Sequence, residues 1–143
     1  MSNLGYLLDT NVVSELGKRT PEPRLLAWFA GVSDARLRLS VLSVGEIRRG
    51  IERLADPVGR QRLQHWLDEQ LLPWLGPQLL PVTLEVAECW GQLCARAGRS
   101  LPAVDSLLAA TAQVHKLTVV TRNVADFNFP GVHCINPWDA SPA

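Results

Sequence analysis

Four acidic residues stand at predicted strand ends and helix starts, where a fold could bring them together: Asp9, Glu46, Asp105 and Asp126. Clustered carboxylates repel one another and raise one another's pKa values, so they become stable as anions only around a cation. Hard divalent ions prefer carboxylate oxygens and water, and Mg²⁺ typically keeps several waters beside one or two carboxylates. An ion held there could activate water, hold a phosphate and neutralise the charge of an in-line displacement.

Alternating strands and helices must position these acids. Apolar or alternating runs predict strands over residues 6–8, 36–41, 79–82, 117–120 and 132–135. Helical spacing and start or stop signals predict helices over 12–16, 24–30, 43–54, 58–72, 84–97 and 102–115. Pro73 is expected to end the fourth helix. We therefore expect an α/β fold with a short central parallel sheet covered by helices on both faces.

Chain order places three of the acids at one edge of this sheet, where ligands of open parallel sheets collect. Asp9 directly follows the first strand, Glu46 lies in the first turn after the second, and Asp126 lies shortly after the 117–120 strand. Asp105 opens the helix that leads into that strand, so its start is expected at the opposite edge unless the preceding loop carries it over. Topology alone therefore brings together three acids of the four.

Each acid also has a structural interpretation when taken alone. Asp9 is a good helix N-cap, and Asp105 in a first turn complements the helix dipole. Glu46 could form a solvated pair with Arg49 three residues on, and Asp126 could cap a short turn. Independent capping roles would not explain why all four acids occur in similar turns flanked by apolar residues. This similarity favours a shared metal site.

Composition limits the remaining classes of function. The 143 residues suit one domain over 1–143, with 139–143 as a flexible tail. Fourteen basic residues balance fourteen acidic ones, which excludes a protein that binds nucleic acid simply by being polycationic. Every apolar run is interrupted well short of the roughly 18 residues of a membrane span. We therefore expect no membrane association and a cytoplasmic location.

Four short motifs occur in the order of a known family. They are Leu7-Leu8-Asp9-Thr10-Asn11, Gly45-Glu46-Ile47, Asp105 with Ala109-Ala110, and Thr121-Arg122-Asn123-Val124-Ala125-Asp126-Phe127. In this order and spacing the chain resembles a PIN domain across residues 6–138. The resemblance is strongest to the toxins of type II toxin–antitoxin modules, of the VapC type and its FitB-like branch. The closing Asn136-Pro137-Trp138 is similar to that branch in detail.

The resemblance implies a toxin that hydrolyses RNA phosphodiester bonds with Mg²⁺ or Mn²⁺ in an acidic pocket. It implies a three-layer α/β/α fold that also brings the start of the Asp105 helix to this pocket. Asp9, Glu46 and Asp105 take the places of the family's first three acids and would ligate the metal, with Asp126 supporting them. A homodimer is implied as well, together with an antitoxin whose tail blocks the pocket.

Polar and basic neighbours of the acids complete the candidate site. Asn11, Thr121 and Asn123 would orient water or the metal-binding carboxylates. RNA must approach an acidic pocket, so Arg49 and Arg122 are candidate phosphate contacts, with ordinary solvated surface as the alternative.

Two other functions compete with a nuclease. A phosphatase of the haloacid-dehalogenase type also has an Asp after its first strand, but it needs a second Asp two residues on, and here that residue is Asn11. A PIN-like scaffold that only binds a partner is the other alternative, and the intact acids argue against it.

Overall fold

The strands form one parallel sheet in the computed structural model, which describes residues 5–139. The sheet order is β3-β2-β1-β4-β5, so β1 lies at the centre with Leu7 paired to Arg38 on one side and to Val119 on the other. The predicted parallel sheet is confirmed, with shorter strands than the sequence indicated. The strands are β1 Tyr6–Leu8, β2 Leu37–Ser40, β3 Leu79–Leu80, β4 Thr118–Val120 and β5 Cys134–Ile135.

Helices connect these strands and cover both faces of the sheet. They are α1 Thr10–Leu16, α2 Pro23–Ala30, α3 Val41–Glu52, α4 Pro57–Trp66, α5 Leu72–Leu75, α6 Leu84–Ala97 and α7 Ala103–His115. Most bounds agree with the prediction to within two residues, because caps such as Ser40, Asp56 and Thr83 fix the helix starts. Within the described residues, no helix has both the length and the apolar character needed to cross a membrane.

The predicted helix end at Pro73 is wrong. After α4 the chain widens into a π-helical turn over Leu67–Leu71, and Pro73 becomes the second residue of α5. A proline is tolerated in the first turn of a helix because the N–H that it lacks would have no intrahelical acceptor there. Burial of Leu67, Leu71 and Leu75, four residues apart, keeps the helical path against the core on both sides of the π turn.

Neighbouring residues of the central strands point into two separate apolar cores. Leu8 and Val120 pack with buried or partly buried side chains of α1–α5, whereas Leu7 and Val119 pack with α6 and α7. This alternation is the period of a strand with both faces covered. The predicted three-layer α/β/α architecture is therefore confirmed.

The C-terminal segment returns to the turn that follows β4. Asn136 donates through Nδ2 to the carbonyl oxygen of Arg122 at 3.2 Å, and its Oδ1 accepts from the backbone N–H of Trp138 at 2.9 Å. Trp138 itself is buried in the core. Of the predicted tail at 139–143, only Asp139 belongs to the described residues, and the other four positions lie outside them.

Candidate active site

Asp9 lies at the carboxyl end of β1, where it caps α1. Its Oδ1 accepts from the backbone N–H of Thr10 at 2.7 Å, and its Oδ2 accepts from the hydroxyl of Thr121 at 2.8 Å. Only 7% of Asp9 is exposed, and this burial raises the pKa of its carboxyl group. The two hydrogen bonds oppose the rise, while the charges of Glu46 and Asp126 add to it.

Thr121 fixes the orientation of the Asp9 carboxylate. It follows β4, which pairs with β1, so the sheet itself sets the two side chains beside each other. Thr121 is fully buried, and its hydroxyl oxygen also accepts from the backbone N–H of Asn123 at 3.0 Å. With one bond donated and one accepted, the hydroxyl group has little freedom to rotate.

Glu46 lies in the second turn of α3 and is held from α1. The Thr10 hydroxyl donates to Glu46 Oε1 at 2.5 Å and lies 3.0 Å from the hydroxyl of Ser43. Sequence reasoning assigned no site role to Thr10 or Ser43. The available signal was their position, since Thr10 adjoins Asp9 and Ser43 precedes Glu46 by three residues, on the same helical face.

Asp105 lies at the same edge of the sheet as the other acids, and the expectation that its helix starts at the opposite edge is wrong. The end of α7 leads into β4 at the amino edge, so a helix of 13 residues, about 20 Å long, must begin at the carboxyl edge. Burial raises the pKa of Asp105 to about 6, with further contributions from the charges of Asp9, Asp126 and Glu46. The four acids therefore share one electrostatic environment.

A buried hydrogen-bond network holds the first turn of α7, which carries Asp105. Trp90 on α6 donates through Nε1 to the hydroxyl oxygen of Ser106 at 2.8 Å. Ser106 is fully buried and donates back to the carbonyl oxygen of Pro102 at 2.7 Å. The network takes the place of a side-chain N-cap, which Pro102 cannot supply.

Asp126 and Asn123 lie at the exposed side of the pocket. Asp126 belongs to a 3₁₀ turn, Val124–Phe127, and its backbone N–H donates to the carbonyl oxygen of Asn123 at 3.0 Å. Both side chains are exposed, but the charge of Asp126 still raises the pKa values of Asp9 and Asp105. Asp126 is therefore the most solvated of the four carboxylates.

Asn11 and Arg122 meet at the rim of the pocket. The backbone N–H of Arg122 approaches Asn11 Oδ1 at 3.5 Å, and the Arg122 guanidinium lies 5.0 Å from the ring centroid of Trp138, in cation–π contact. Arg49 lies exposed on α3, three residues after Glu46. The two predicted cationic residues thus flank the acids from different elements.

The donor set of this pocket suits a hard divalent cation. All four candidate groups are carboxylates. Burial, with the charges of the neighbouring acids, raises the pKa values of Asp9 and Asp105, which is the condition that a bound cation relieves. Among residues 5–139, no three His, Cys, Asp or Glu side chains are grouped so as to hold an ion. The pocket fits an ion that contacts few carboxylates and keeps several waters, as Mg²⁺ does.

Comparison with known proteins identifies the family. The PIN domain model matches residues 6–128. The chain is 37% identical to "VapC ribonuclease Y4jK" of Sinorhizobium fredii over 138 residues, which cover 93% of this chain and 97% of that protein. It is 35% identical to "Toxin FitB" of Neisseria gonorrhoeae over 135 residues, which cover 92% and 97% of the two chains.

Solved structures agree with the sequence relatives. The crystal structure of FitAcB from Neisseria gonorrhoeae superposes with a TM-score of 0.85 at 33% identity, covering 94% of this chain and 99% of that one. DNA-bound VapBC from Salmonella typhimurium superposes with a TM-score of 0.78 at 25% identity, covering 93% and 98%. This chain belongs to the PIN-domain family, in the branch that includes the VapC ribonucleases and the toxin FitB.

Proposed function

We propose that this chain is a metal-dependent endoribonuclease and the toxin of a toxin–antitoxin pair, acting in the cytoplasm. The observation that carries the proposal is the convergence of acids at the carboxyl edge of the sheet, where Thr121 orients the buried Asp9 carboxylate and Thr10 holds Glu46. The charges of Asp9, Asp126 and Glu46 add to the effect of burial in raising the pKa of Asp105 beside them. Several carboxylates so close together destabilise the fold unless a cation neutralises them, and they form a suitable site for a divalent metal ion. RNA is the proposed substrate because a relative that matches nearly the whole chain is named a ribonuclease.

Asp9, Glu46 and Asp105 would hold Mg²⁺ or Mn²⁺ directly or through water, with Asp126 supporting them. The bound ion supplies a more acidic water and neutralises charge that develops on the scissile phosphate. Thr121 and Thr10 keep the Asp9 and Glu46 carboxylates in fixed orientations through the bonds described above.

The remaining polar residues act on water and RNA. Asn11 and Asn123 would orient water at the rim of the pocket, and Arg49 and Arg122 would contact RNA phosphates. Trp138 keeps the Arg122 guanidinium at the rim by stacking against it, which lowers the entropy lost when a phosphate binds.

An antitoxin is the proposed protein partner, because the solved structures of relatives include FitAB bound to a DNA fragment and DNA-bound VapBC. A mostly apolar groove of about 180 Å³ leads away from Glu46 and is lined by Ile47, Ile51, Leu63 and Trp66. An apolar antitoxin segment in this groove would reach the acidic pocket at its end. Homodimerisation is also proposed, as the resemblance implies.

The test is cleavage of a mixed RNA pool by the purified chain with Mg²⁺, with Mn²⁺ and with chelator. We expect cleavage that requires metal and is lost in Asp9→Asn. Glu15→Gln is the matched control, because Glu15 is also a buried acid but bonds Lys18 and the Glu22 backbone instead of the site. Cleavage that persists in chelator or in Asp9→Asn would refute the proposal. Absence of both cleavage and metal binding would favour a PIN-fold binding module without catalysis.

A further inference from the structure

A cavity of about 290 Å³ lies between α6, α7 and residues 128–130, and none of the four site acids lines it. Its apolar lining includes Leu93 and Phe129, both buried in the core beneath it. Polar and charged lining comes from Gln92, Arg96, Arg99 and Asn128. The cavity thus combines an apolar floor with a cationic and amide rim.

Gln113 joins the three walls of this cavity. Its Nε2 donates to the carbonyl oxygen of Pro130 at 2.5 Å, and its Oε1 accepts from Cys89 Sγ on α6 at 3.2 Å. Gly131 has a left-handed backbone, with φ of 79°, and a Cβ there would lie 3.3 Å from Gln113 Nε2. The glycine therefore lets the chain close over Gln113, whose hydrogen bonds link α6, α7 and the 128–130 segment.

The charge of the cavity rim is uneven along α6. Glu85 and Glu88 lie near the start of the helix, whereas Arg96 lies in its last turn and Arg99 in the loop beyond. In the described part of the chain, neither arginine forms an ion pair. Two free guanidinium groups above an apolar floor suit a ligand with an anionic part and a flat, weakly polar part.

Two lining residues of the cavity are linked to site acids by short stretches of chain. Arg99 lies in the loop that leads into α7, six residues before Asp105. On the other wall, Asn128 follows Asp126 by two residues. A single-stranded RNA that extends beyond the acidic pocket on the side of α7 would therefore run toward the cavity.

We infer that this cavity binds a nucleotide of the RNA substrate that lies outside the acidic pocket. Arg96 and Arg99 hold its backbone phosphate, the base lies over Leu93 and Phe129, and the Gln92 and Asn128 amides meet the base edge. Phosphate contacts position a nucleic acid and base-edge contacts select its sequence, so the cavity contributes to cleavage-site choice. The inference rests on the proposed function, because it requires RNA as the substrate.

The test measures RNA binding apart from cleavage. A fluorescein-labelled, random-sequence single-stranded RNA of about ten nucleotides, the size of one stacking-platform site, is titrated into the Asp9→Asn protein and followed by anisotropy. Arg96→Gln/Arg99→Gln is compared with Arg19→Gln/Arg53→Gln. The control pair removes the same charge after α1 and after α3, where those helices point away from the carboxyl edge, and neither residue lines the cavity.

We expect the Arg96/Arg99 pair to weaken RNA binding about tenfold. The slope of the logarithm of the RNA association constant against the logarithm of the salt concentration should become shallower by about 1.4. Each phosphate contact to a single strand contributes about 0.7 to this slope. The control pair should change affinity less than about twofold, as exposed charges remote from the ligand do. Asn128→Ala should shift the cleavage-site preference of the otherwise intact enzyme.

Other outcomes overturn the inference or the proposed function separately. Equal losses in both arginine pairs, or unchanged binding in both, overturn the inference while a cleaving wild-type protein retains the proposed function. A change from dimer to monomer in Arg96→Gln/Arg99→Gln, measured by sedimentation, assigns the cavity to a second copy of the chain and overturns it too. RNA binding that depends on the arginines in a protein that never cleaves RNA refutes the proposed function and leaves the cavity as an RNA-binding site without a cleavage role.

Discussion

Thr121→Val removes one hydroxyl group from behind the metal site and keeps the shape of the side chain. Asp9 then loses the 2.8 Å bond to Oδ2 and keeps the bond from the Thr10 N–H. Hydrogen bonds to charged groups contribute roughly 1.5–3 kcal/mol, and Asp9, at 7% exposed, can recover part of this from water. We therefore expect the free energy of unfolding at pH 7 to fall by about 1.5 kcal/mol, at the low end of that range.

The sign of the pH dependence follows from the state of Asp9. The lost bond favoured the ionised carboxylate, so Thr121→Val raises the Asp9 pKa above its already raised value. The loss of unfolding free energy relative to the wild type is therefore fully present at pH values above the pKa of Asp9 in the folded variant. It shrinks as the pH falls and the carboxyl group becomes protonated in both proteins.

Calorimetric titration with Mn²⁺ measures the functional consequence of the same substitution. Loss of a group that orients a metal-binding carboxylate typically costs about 10–100-fold in affinity, and we expect at least tenfold here. Thr111→Val is the matched control, because Thr111 is also buried but donates to the Leu107 carbonyl oxygen inside α7. Equal Mn²⁺ affinities in Thr121→Val and the wild type would refute the role given to Thr121.

Three further predictions concern the supports of the site. The pKa of Asp105 is raised to about 6, so Mn²⁺ must displace a proton from it at low pH. We expect the Mn²⁺ affinity to be constant above pH 7 and to fall below pH 6, about tenfold per pH unit for each proton displaced. Constant affinity from pH 5 to 8 contradicts this. Trp90→Phe removes the donor to Ser106, so it should lower the unfolding free energy by about 1 kcal/mol and weaken Mn²⁺ binding, as followed by denaturant titration and calorimetry. Trp138→Leu should free Arg122 and raise KM for RNA several-fold with kcat nearly unchanged; equal changes in both constants argue against a role in substrate binding.

Local sequence signals predicted most of the fold because they act within a few residues. Periodicity and caps gave the bounds of α6 to the residue, and short apolar runs located the central strands. The path through Pro73 could not be predicted in this way. It depends on burial of Leu67, Leu71 and Leu75 against distant elements, which supports a π turn that propensity alone disfavours.

The acids of the candidate site were recognisable because residue type and spacing mark them, but their supports were not. Thr10 and Ser43 look like ordinary helix-start residues until α1 and α3 are seen to pack together. The link between Trp90 and Ser106 joins residues 16 positions apart through side chains, and helical spacing within either element gives no sign of it. The edge at which Asp105 lies was mispredicted because the start of a helix that leads into a strand was placed at the amino edge. The end of α7 meets β4 at that edge, and its 13 residues carry the start to the carboxyl edge.

A crystal structure with Mn²⁺, located by anomalous scattering, tests the central claim most directly. We predict one or two manganese peaks within about 2.5 Å of oxygens of Asp9, Glu46 or Asp105, or linked to them through ordered water, and no peak in Asp9→Asn crystals. Manganese bound at another group of residues, or an empty acidic pocket in protein that cleaves RNA in the same Mn²⁺ buffer, would contradict it.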